Sequence, residues 1–278
     1  MKSIIRQLYY FFYDLFSIFR NINADHNFII IIPRILSLVI KKVFIYDKIN
    51  KKIFIQRIRD KYDILTVYEI FSIESYNLKK LKIWKKISQE YQNYQNNKLM
   101  PLIIDCGSNI GCSTEYFQRI FKESYTVLIE PEEKNFNFSS KNLSNKDNKL
   151  MNCVVADEEK NYFFEHDFLD SRAPRVTENQ GTQIKGITIN QILSDFPKDK
   201  YQPFLIKIDI EGFEDQLFSK NYEWINKFDI IIIEIHDWML PGKSNSHNFI
   251  NALNQVTNKN NKRDLIISGE NLISIKLN

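Results

Sequence analysis

The chain has 278 residues, of which 44% are hydrophobic and 26% charged, and its formal net charge at pH 7 is +4. The apolar fraction excludes an intrinsically disordered protein, and a total of seven glycines excludes collagen-like and glycine-rich repeat proteins. The positive charge is small and no nucleic-acid-binding motif accompanies it, so we expect no nucleic-acid partner.

Residues 1–45 are predicted to be helical. Their two apolar segments, 4–19 and 28–40, are interrupted by charged residues, and the second is shorter than the about 20 apolar residues of a membrane-spanning helix. No small-residue cleavage site follows the first segment, which argues against a secretory signal. Because Lys41 and Lys42 follow the second segment, two interpretations stay open: a helical cap and a peripheral membrane contact through residues 1–45.

The next part of the chain contains one predicted strand and further helix. Residues 52–58 alternate between apolar and polar side chains, which predicts a strand, and residues 64–96 are predicted to be mostly helical. A polar stretch, residues 93–98, marks a predicted boundary. We therefore expect a mainly helical N-terminal extension over residues 1–98 and a second domain over residues 99–278.

After this boundary, short apolar runs alternate with amphipathic segments. Five runs are predicted to be strands: residues 102–105, 126–130, 150–155, 204–209 and 229–235. Such alternation predicts a mostly parallel sheet with helices on both faces. Two further runs, 265–268 and 272–276, flank a glycine turn and predict a β-hairpin at the end of the chain.

The cysteines predict the redox environment of the protein. Cys106, Cys112 and Cys153 are odd in number and lack the spacing of metal ligands. They are interpreted as buried free thiols in a reducing compartment, which predicts a cytoplasmic location.

The first motif with chemical content lies at the end of the first predicted strand of the second domain. Asp105 ends this strand, and Gly107 and Gly111 follow in a D-x-G-x-x-x-G pattern. Glycines permit a tight turn and the close approach of a ligand to the backbone. A nicotinamide fingerprint has three glycines and presents amides to a diphosphate, whereas a carboxylate beside the turn suits a cofactor that carries an amine and a sulfonium.

An acidic residue also ends the second strand. Glu130 follows the glycines by roughly 20 residues, where a carboxylate can accept hydrogen bonds from both hydroxyls of a ribose. This position predicts a nucleoside-containing cofactor.

The fourth strand ends in several acids. Asp209 lies at its carboxyl end, where open α/β sheets bind ligands, and Glu211 shares its strand parity. Glu214 falls in the first turn of the next helix and is interpreted as a charge that favours the helix dipole.

The fifth strand ends in a second polar group. Glu234 and His236 share one parity at its carboxyl end. His236 is a candidate general base that takes a proton from a hydroxyl, and Asp209 is the alternative base. A metal site stays open as well, because Asp209, Glu234 and His236 offer the ligands for Mg²⁺ or a similar ion.

These segments, in this order, resemble the FkbM family of S-adenosylmethionine-dependent methyltransferases over about residues 55–278. The most specific match is the K-I-D-I-E-G-F-E segment at residues 207–214. The resemblance implies a class I, Rossmann-like methyltransferase fold: a seven-stranded, mostly parallel sheet that ends in an antiparallel hairpin.

The resemblance also implies site residues. The methionine end of the cofactor would be lined by Asp105, Gly107, Asn109 and Gly111, and Glu130 would hold the ribose. The adenine would lie beside Ala156 and Asp157, although the glycine that the family often carries near this loop is missing here. The reaction centre would be formed by Asp209, Glu211 and His236.

The activity implied by the resemblance is methyl transfer to oxygen. A hydroxyl of a sugar in a glycan or glycolipid is the expected acceptor, as in polysaccharide biosynthesis. Two alternatives stay open: metal-assisted O-methylation of a natural product, and a non-catalytic binding protein that retains the fold.

Overall fold

The computed structural model describes residues 12, 14, 16, 26–143, 147–165, 175–177, 181–238, 242, 244–258 and 261–277. Its α-helices are α1 (Arg34–Ile40), α2 (Lys61–Tyr68), α3 (Trp84–Asn96), α4 (Cys112–Ile120), α5 (Glu133–Ser139), α6 (Ile189–Ser194), α7 (Glu214–Leu217) and α8 (Ser246–Val256). Its strands are β1 (Phe28–Ile30), β2 (Lys42–Asp47), β3 (Lys52–Arg57), β4 (Met100–Cys106), β5 (Tyr125–Ile129), β6 (Asn148–Met151), β7 (Val154–Val155), β8 (Asn161–Glu165), β9 (Arg175–Thr177), β10 (Thr182–Ile187), β11 (Tyr201–Ile208), β12 (Ile230–Glu234), β13 (Arg263–Ser268) and β14 (Asn271–Lys276).

A central sheet of seven described strands organises the molecule. Its order is β6-β5-β4-β11-β12-β14-β13. The first five strands in this order are parallel, and β14 runs antiparallel to both β12 and β13. This topology confirms the predicted class I methyltransferase sheet with its C-terminal antiparallel hairpin.

The inner parallel strands of the central sheet are mostly apolar because both faces are covered. In β4, Leu102 and Ile104 belong to one buried cluster, while Ile103 between them belongs to the cluster on the opposite face. All three side chains are fully buried. Burying each contributes about 1.5–3 kcal/mol relative to exposure, which explains why continuous apolar runs mark these strands. The three cysteines are free and buried, as predicted.

The predicted strand at residues 150–155 is divided between two sheets. Residues up to Met151 belong to β6 in the central sheet, whereas Val154 and Val155 form β7 in a four-stranded sheet of order β7-β10-β8-β9. A single apolar run therefore spans two elements, and the chain changes sheets at the edge where the cofactor was expected.

The helical prediction for residues 1–45 holds for only part of the described residues, namely 12, 14, 16 and the helix α1, and most of the predicted 4–19 segment lies outside the described residues. Phe28–Ile30 and Lys42–Asp47 are strands that pair with β3 in an antiparallel sheet of order β1-β2-β3. Only Arg34–Ile40, which follows Pro33, is helical in the predicted 28–40 segment. The cause is tertiary, because Val43 and Ile45 alternate into the core as a strand requires. The strand prediction at 52–58 is confirmed by β3.

This N-terminal sheet shares a core with one face of the central sheet. The ring of Phe28 lies 5.2 Å from that of Phe71 and 5.3 Å from that of Tyr116 on α4. Arg119 on α4 also forms an ion pair of 2.9 Å with the buried Asp47 of β2. The packing thus connects residues on both sides of position 98, and the domain division there stays a prediction.

Helix α1 presents several apolar side chains to solvent. Leu36, Val39 and Ile40 are 48%, 75% and 46% exposed, and Lys41 follows them. No helix among the described residues combines the length and apolar character needed to cross a membrane. The peripheral membrane contact of residues 1–45 stays a prediction, as does the cytoplasmic location.

Candidate active site

The carboxyl ends of β4, β5 and β11 border one cleft, which has about 570 Å³ of empty space when the part open to solvent is included. This is the edge of the sheet at which the sequence placed the cofactor. The cleft is lined by Gly107, Asn109, Ile129, Glu130, Pro131, Asn135, Cys153, Val154, Val155, Asp209, Ile210, Glu211 and Phe213.

The glycine turn after β4 is constrained by its neighbours. Gly107 has φ +78°, and a Cβ at this position would lie 1.8 Å from the carbonyl oxygen of Asp209. No side chain fits in that space, so glycine is required for the tips of β4 and β11 to come together. Gly111 also has a positive φ, +84°, and a Cβ there would lie 3.3 Å from Ser139.

Asp105 lies beneath this turn rather than in the lining of the cleft. It is fully buried, and its Oδ2 accepts hydrogen bonds of 2.6 Å from the hydroxyls of Ser113 and Thr114. Its Oδ1 lies 3.4 Å from Lys207 Nζ. In this arrangement Asp105 fixes the start of α4 and thereby the shape of the turn.

Glu130 is held by the backbone of the glycine turn. Its Oε2 accepts a hydrogen bond of 2.7 Å from the amide of Asn109, and its Oε1 accepts one of 3.0 Å from the amide of Glu132. Burial raises the pKa of the Glu130 carboxyl to about 7, although these amides act in the opposite direction. The side chain borders the cleft and can accept further hydrogen bonds from hydroxyls of a ligand.

The expected adenine region is lined by different residues from those predicted. Cys153, Val154 and Val155 border the cleft, whereas Ala156 and Asp157 lie outside its lining. Both are buried, and Asp157 Oδ2 accepts a hydrogen bond of 2.7 Å from Ser219. The apolar surface that could receive a planar base therefore begins three residues earlier than the sequence indicated.

Lys207 is a site residue that the sequence analysis did not assign. Its buried ammonium donates a hydrogen bond of 2.7 Å to the carbonyl of Gly107 and lies 3.1 Å from Asp209 Oδ2. Burial alone would lower the pKa of Lys207, but the charges of Asp209 and Asp105 outweigh it and hold the pKa well above its usual range. A lysine inside an apolar strand was the available signal, because a buried lysine needs anionic partners.

His236 is buried at the end of β12 and is oriented by Glu214. The imidazole Nδ1 lies 2.7 Å from Glu214 Oε1, and the carboxylate of Glu214 is fully buried. The interpretation of Glu214 as only a helix-start charge is therefore corrected: the residue begins α7, but its side chain binds the histidine. This pairing makes Nδ1 the nitrogen that bonds to the protein.

The other imidazole nitrogen faces three carboxylates. His236 Nε2 lies 3.8 Å from Asp209, 3.6 Å from Glu211 and 3.6 Å from Glu234. Ligand atoms of Asp209, Glu234 and His236 all lie within 4.8 Å of one another. These three residues are the predicted metal ligands. The same arrangement also allows the imidazole and the three carboxylates around Nε2 to exchange protons.

The pKa values of Glu211, Glu234 and His236 are all raised. Burial, followed by the charge of Asp209, raises the pKa of Glu211 to about 7 and that of Glu234 to about 8. Burial would lower the pKa of His236, but the hydrogen bond to Glu214 and the surrounding carboxylates raise it to about 9. Protons in the cluster therefore exchange over a range that includes physiological pH.

The structure thus divides the predicted residues into three groups, whose roles stay predictions. Five of them line the cleft: Gly107, Asn109, Glu130, Asp209 and Glu211. Glu234 and His236 adjoin it through Asp209, and the remaining four lie outside the lining: Asp105, Gly111, Ala156 and Asp157.

Comparison with known proteins gives one family match. The profile of a family described as "Methyltransferase FkbM domain" matches residues 105–261. A search of curated protein sequences finds no match to the chain.

Two solved structures illustrate the structural likenesses. An O-methyltransferase from Bacillus cereus, solved with S-adenosylhomocysteine, is 12% identical with a TM-score of 0.40, covering 79% of this chain and 92% of that chain. A methyltransferase from Geobacter sulfurreducens is 11% identical with a TM-score of 0.36, covering 80% and 93%. These similarities are too low to support a statement about activity. The activity proposed below depends on the family match and on the geometry of the site.

Proposed function

Because the chain belongs to the FkbM methyltransferase family, we propose that it transfers a methyl group from S-adenosylmethionine to a hydroxyl of a sugar in a glycan or glycolipid. The observation that carries transfer to oxygen is the buried Glu214–His236 pair, whose second nitrogen faces the carboxylates at the edge of the cleft. An oxygen acceptor has to lose its proton, and this pair offers a place for it.

The chemistry of the cleft fits the cofactor. Its lining contains three carboxylates, those of Glu130, Asp209 and Glu211, and none of the described lining residues is basic. A ligand that carries an ammonium and a sulfonium suits this charge, whereas a diphosphate would be repelled. Glu130 would accept the ribose hydroxyls, and Val154 and Val155 would contact the adenine. When bound, S-adenosylmethionine supplies a methyl group that is already activated by its sulfonium.

Within the site, Glu214 fixes the orientation of the base. Because Glu214 bonds to Nδ1 of His236, Nε2 is the nitrogen that can accept the proton of the acceptor hydroxyl. The pKa of His236 is raised to about 9, so the imidazole is protonated at pH 7 and has to lose a proton first. Turnover is therefore expected to increase with pH.

Positioning supplies a second contribution. Lys207 holds both the carbonyl of Gly107 and the carboxylate of Asp209, so the cofactor turn and the reaction centre are connected by one buried ammonium. Holding two reactants in line can lower a barrier by about 7–11 kcal/mol at best, which exceeds the about 10²–10⁴-fold contribution of a general base.

A metal-assisted reaction is the second candidate, favoured by the close approach of Asp209, Glu234 and His236. A divalent ion held there would lower the pKa of the acceptor hydroxyl. The metal-free proposal expects turnover to survive treatment with EDTA. Loss of turnover that Mg²⁺ restores would instead favour the metal.

The experiment that tests the proposal follows the methyl group itself. The chain is incubated with ¹³C-methyl-labelled S-adenosylmethionine and a panel of neutral glycosides, and the products are examined by NMR. We expect a methoxy signal that requires both the chain and a glycoside. A label that appears on nitrogen, or no label transfer to any glycoside, would contradict O-methylation of a sugar.

A further inference from the structure

A second cavity lies beside the reaction centre, on the side away from the cofactor cleft. One wall is formed by the π-helical turn Glu69–Ile73 and residues 74–77, and the other by residues 268–271 of the C-terminal hairpin. We call this cavity the hairpin groove. It has about 1810 Å³ of empty space with the open part included, compared with about 570 Å³ for the cofactor cleft. Its volume accessible to water, about 830 Å³, lies within the about 300–1,000 Å³ of small-molecule sites.

The hairpin groove reaches the reaction centre through neighbouring strands. Asn271, which lines the groove, lies directly opposite Glu234 in the pairing of β12 with β14. Two carboxylates also line the groove: Glu270, which precedes Asn271 in the hairpin turn, and Glu69 of the π-helical turn. A ligand in the groove would therefore come next to the cluster that surrounds His236.

The wall formed by residues 74–77 is built on a buried carboxylate. Glu74 accepts a hydrogen bond of 3.0 Å from the amide of Phe28 and one of 3.0 Å from the side chain of Asn27. It is 2% exposed, so the turn is fixed to the N-terminal sheet. The wall is therefore preorganised rather than formed on binding.

The lining is rich in groups that bond to hydroxyls. Side chains of Ser72, Ser268 and Asn271 offer both donors and acceptors. Ser75 and Asn77 also line the groove, but the Ser75 hydroxyl donates to the carbonyl of Glu69 and the Asn77 amide bonds to Glu74. Arg34 also lines the groove, but it forms an ion pair of 2.7 Å with Asp14. Lys80 lines the groove as well. The lining carboxylate next to the Asn271–Glu234 pair is Glu270, and a carboxylate accepts hydrogen bonds from hydroxyls and repels anions.

We propose, on the premise that the chain is an O-methyltransferase, that the hairpin groove binds the acceptor. The acceptor is a glycoside whose reacting end carries no anionic group. The hydroxyl to be methylated enters from the side of Glu234, while the cofactor cleft lies on the side of Glu130.

Saturation-transfer NMR tests this assignment with simple glycosides as probes. The chain, saturated with S-adenosylhomocysteine, is mixed with the methyl glycosides of glucose, galactose and mannose, and separately with the methyl glycosides of the corresponding uronic acids. We expect signals from neutral glycosides and roughly fivefold weaker binding of the uronates, as repulsion at a partly exposed site predicts. Equal binding of uronates would overturn the assigned charge preference.

A matched pair of variants locates the binding. Ser268→Trp places a large ring in the hairpin groove, whereas Ile267→Trp changes a neighbouring side chain that is 80% exposed and leaves the strand on the opposite face. We expect Ser268→Trp to abolish the glycoside signals and Ile267→Trp to retain them. Signals that survive Ser268→Trp, or that are absent from the wild type, would overturn the proposal.

A second pair of variants covers the case in which Ser268→Trp does not fold. Glu270→Lys is expected to remove the discrimination against uronates, while Asp264→Lys, an exposed position of the same hairpin outside the lining, is expected to keep it. Discrimination that persists in Glu270→Lys would contradict the assigned role. Calorimetry with S-adenosylhomocysteine on the same samples separates the proposed activity from the proposed acceptor site. Absence of S-adenosylhomocysteine binding would contradict the methyltransferase activity, but it would not contradict glycoside binding in the hairpin groove.

Discussion

The tips of β4 and β5 differ from those of β11 and β12 in how they present polar groups. At the tips of β4 and β5, backbone groups form most of the site. Glycines form the turn, and the amide of Asn109 donates a hydrogen bond to the carboxylate of Glu130. At β11 and β12, side chains crowd together, and one imidazole is surrounded by four carboxylates. This difference supports the proposal that the first pair of tips recognises the cofactor and the second exchanges protons.

The largest expected effect tests the second pair of tips. Removing the imidazole in His236→Ala removes the proposed base, so kcat should fall by about 10²–10⁴-fold. The dissociation constant of S-adenosylhomocysteine, measured by calorimetry, should stay unchanged. His247→Ala, at an exposed position of α8, is the control. Unchanged turnover in His236→Ala would contradict the assignment of the base.

The reciprocal variant tests the first pair of tips. Glu130→Ala removes the proposed acceptor of the ribose hydroxyls, so the dissociation constant of S-adenosylhomocysteine should rise roughly 10–100-fold. Turnover at saturating cofactor should change little, because the proton-exchanging cluster is intact. Glu133→Ala, an exposed acid in α5, serves as the control. An unchanged dissociation constant of S-adenosylhomocysteine in Glu130→Ala would contradict the assignment of cofactor binding to the tips of β4 and β5.

A smaller effect is expected from the residue that orients the base. Glu214→Gln keeps the shape of the side chain but removes its charge, so the pKa of His236 should fall. We expect kcat at its optimum to fall roughly tenfold and the pH–rate profile to move to lower pH. Glu223→Gln, an exposed acid, is the control. A lower rate with an unmoved profile would indicate a purely structural role.

The smallest effect is the pH dependence of the wild-type chain. Because the base acts only when deprotonated, kcat should rise between pH 6 and about 9.

The free energy of unfolding should change with pH in the opposite sense. A raised pKa means that the contribution of His236 is fully present below about pH 6.5 and is lost as the pH rises through about 9. Rates and melting temperatures measured across this range check both signs, and a rate that falls with pH would contradict the proposed base.

The sequence was sufficient to predict the parallel strands β4, β5, β11 and β12 because they are largely buried on both faces. The glycine turn, Glu130, Asp209 and His236 were found because each follows such a strand. All of these signals are local, so they do not depend on the tertiary structure.

The remaining features depend on contacts between distant residues. Glu214 meets His236 across 22 positions of the chain, and the first turn of a helix gave no sign of that contact. Strand β1 was assigned to helix because Phe28 is placed by packing against Phe71 and Tyr116, which lie far away in the sequence. The division of residues 150–155 between two sheets likewise has no local signal.

Calorimetric titration with S-adenosylhomocysteine, with NADH as the comparison ligand, decides whether the tips of β4 and β5 form a methyl-donor site. Micromolar binding of S-adenosylhomocysteine and no binding of NADH is the predicted result, because the acidic lining repels the diphosphate of NADH, whereas S-adenosylhomocysteine carries no net negative charge. Absence of S-adenosylhomocysteine binding, with or without Mg²⁺, would contradict the account and would favour a non-catalytic binding protein that retains the methyltransferase fold.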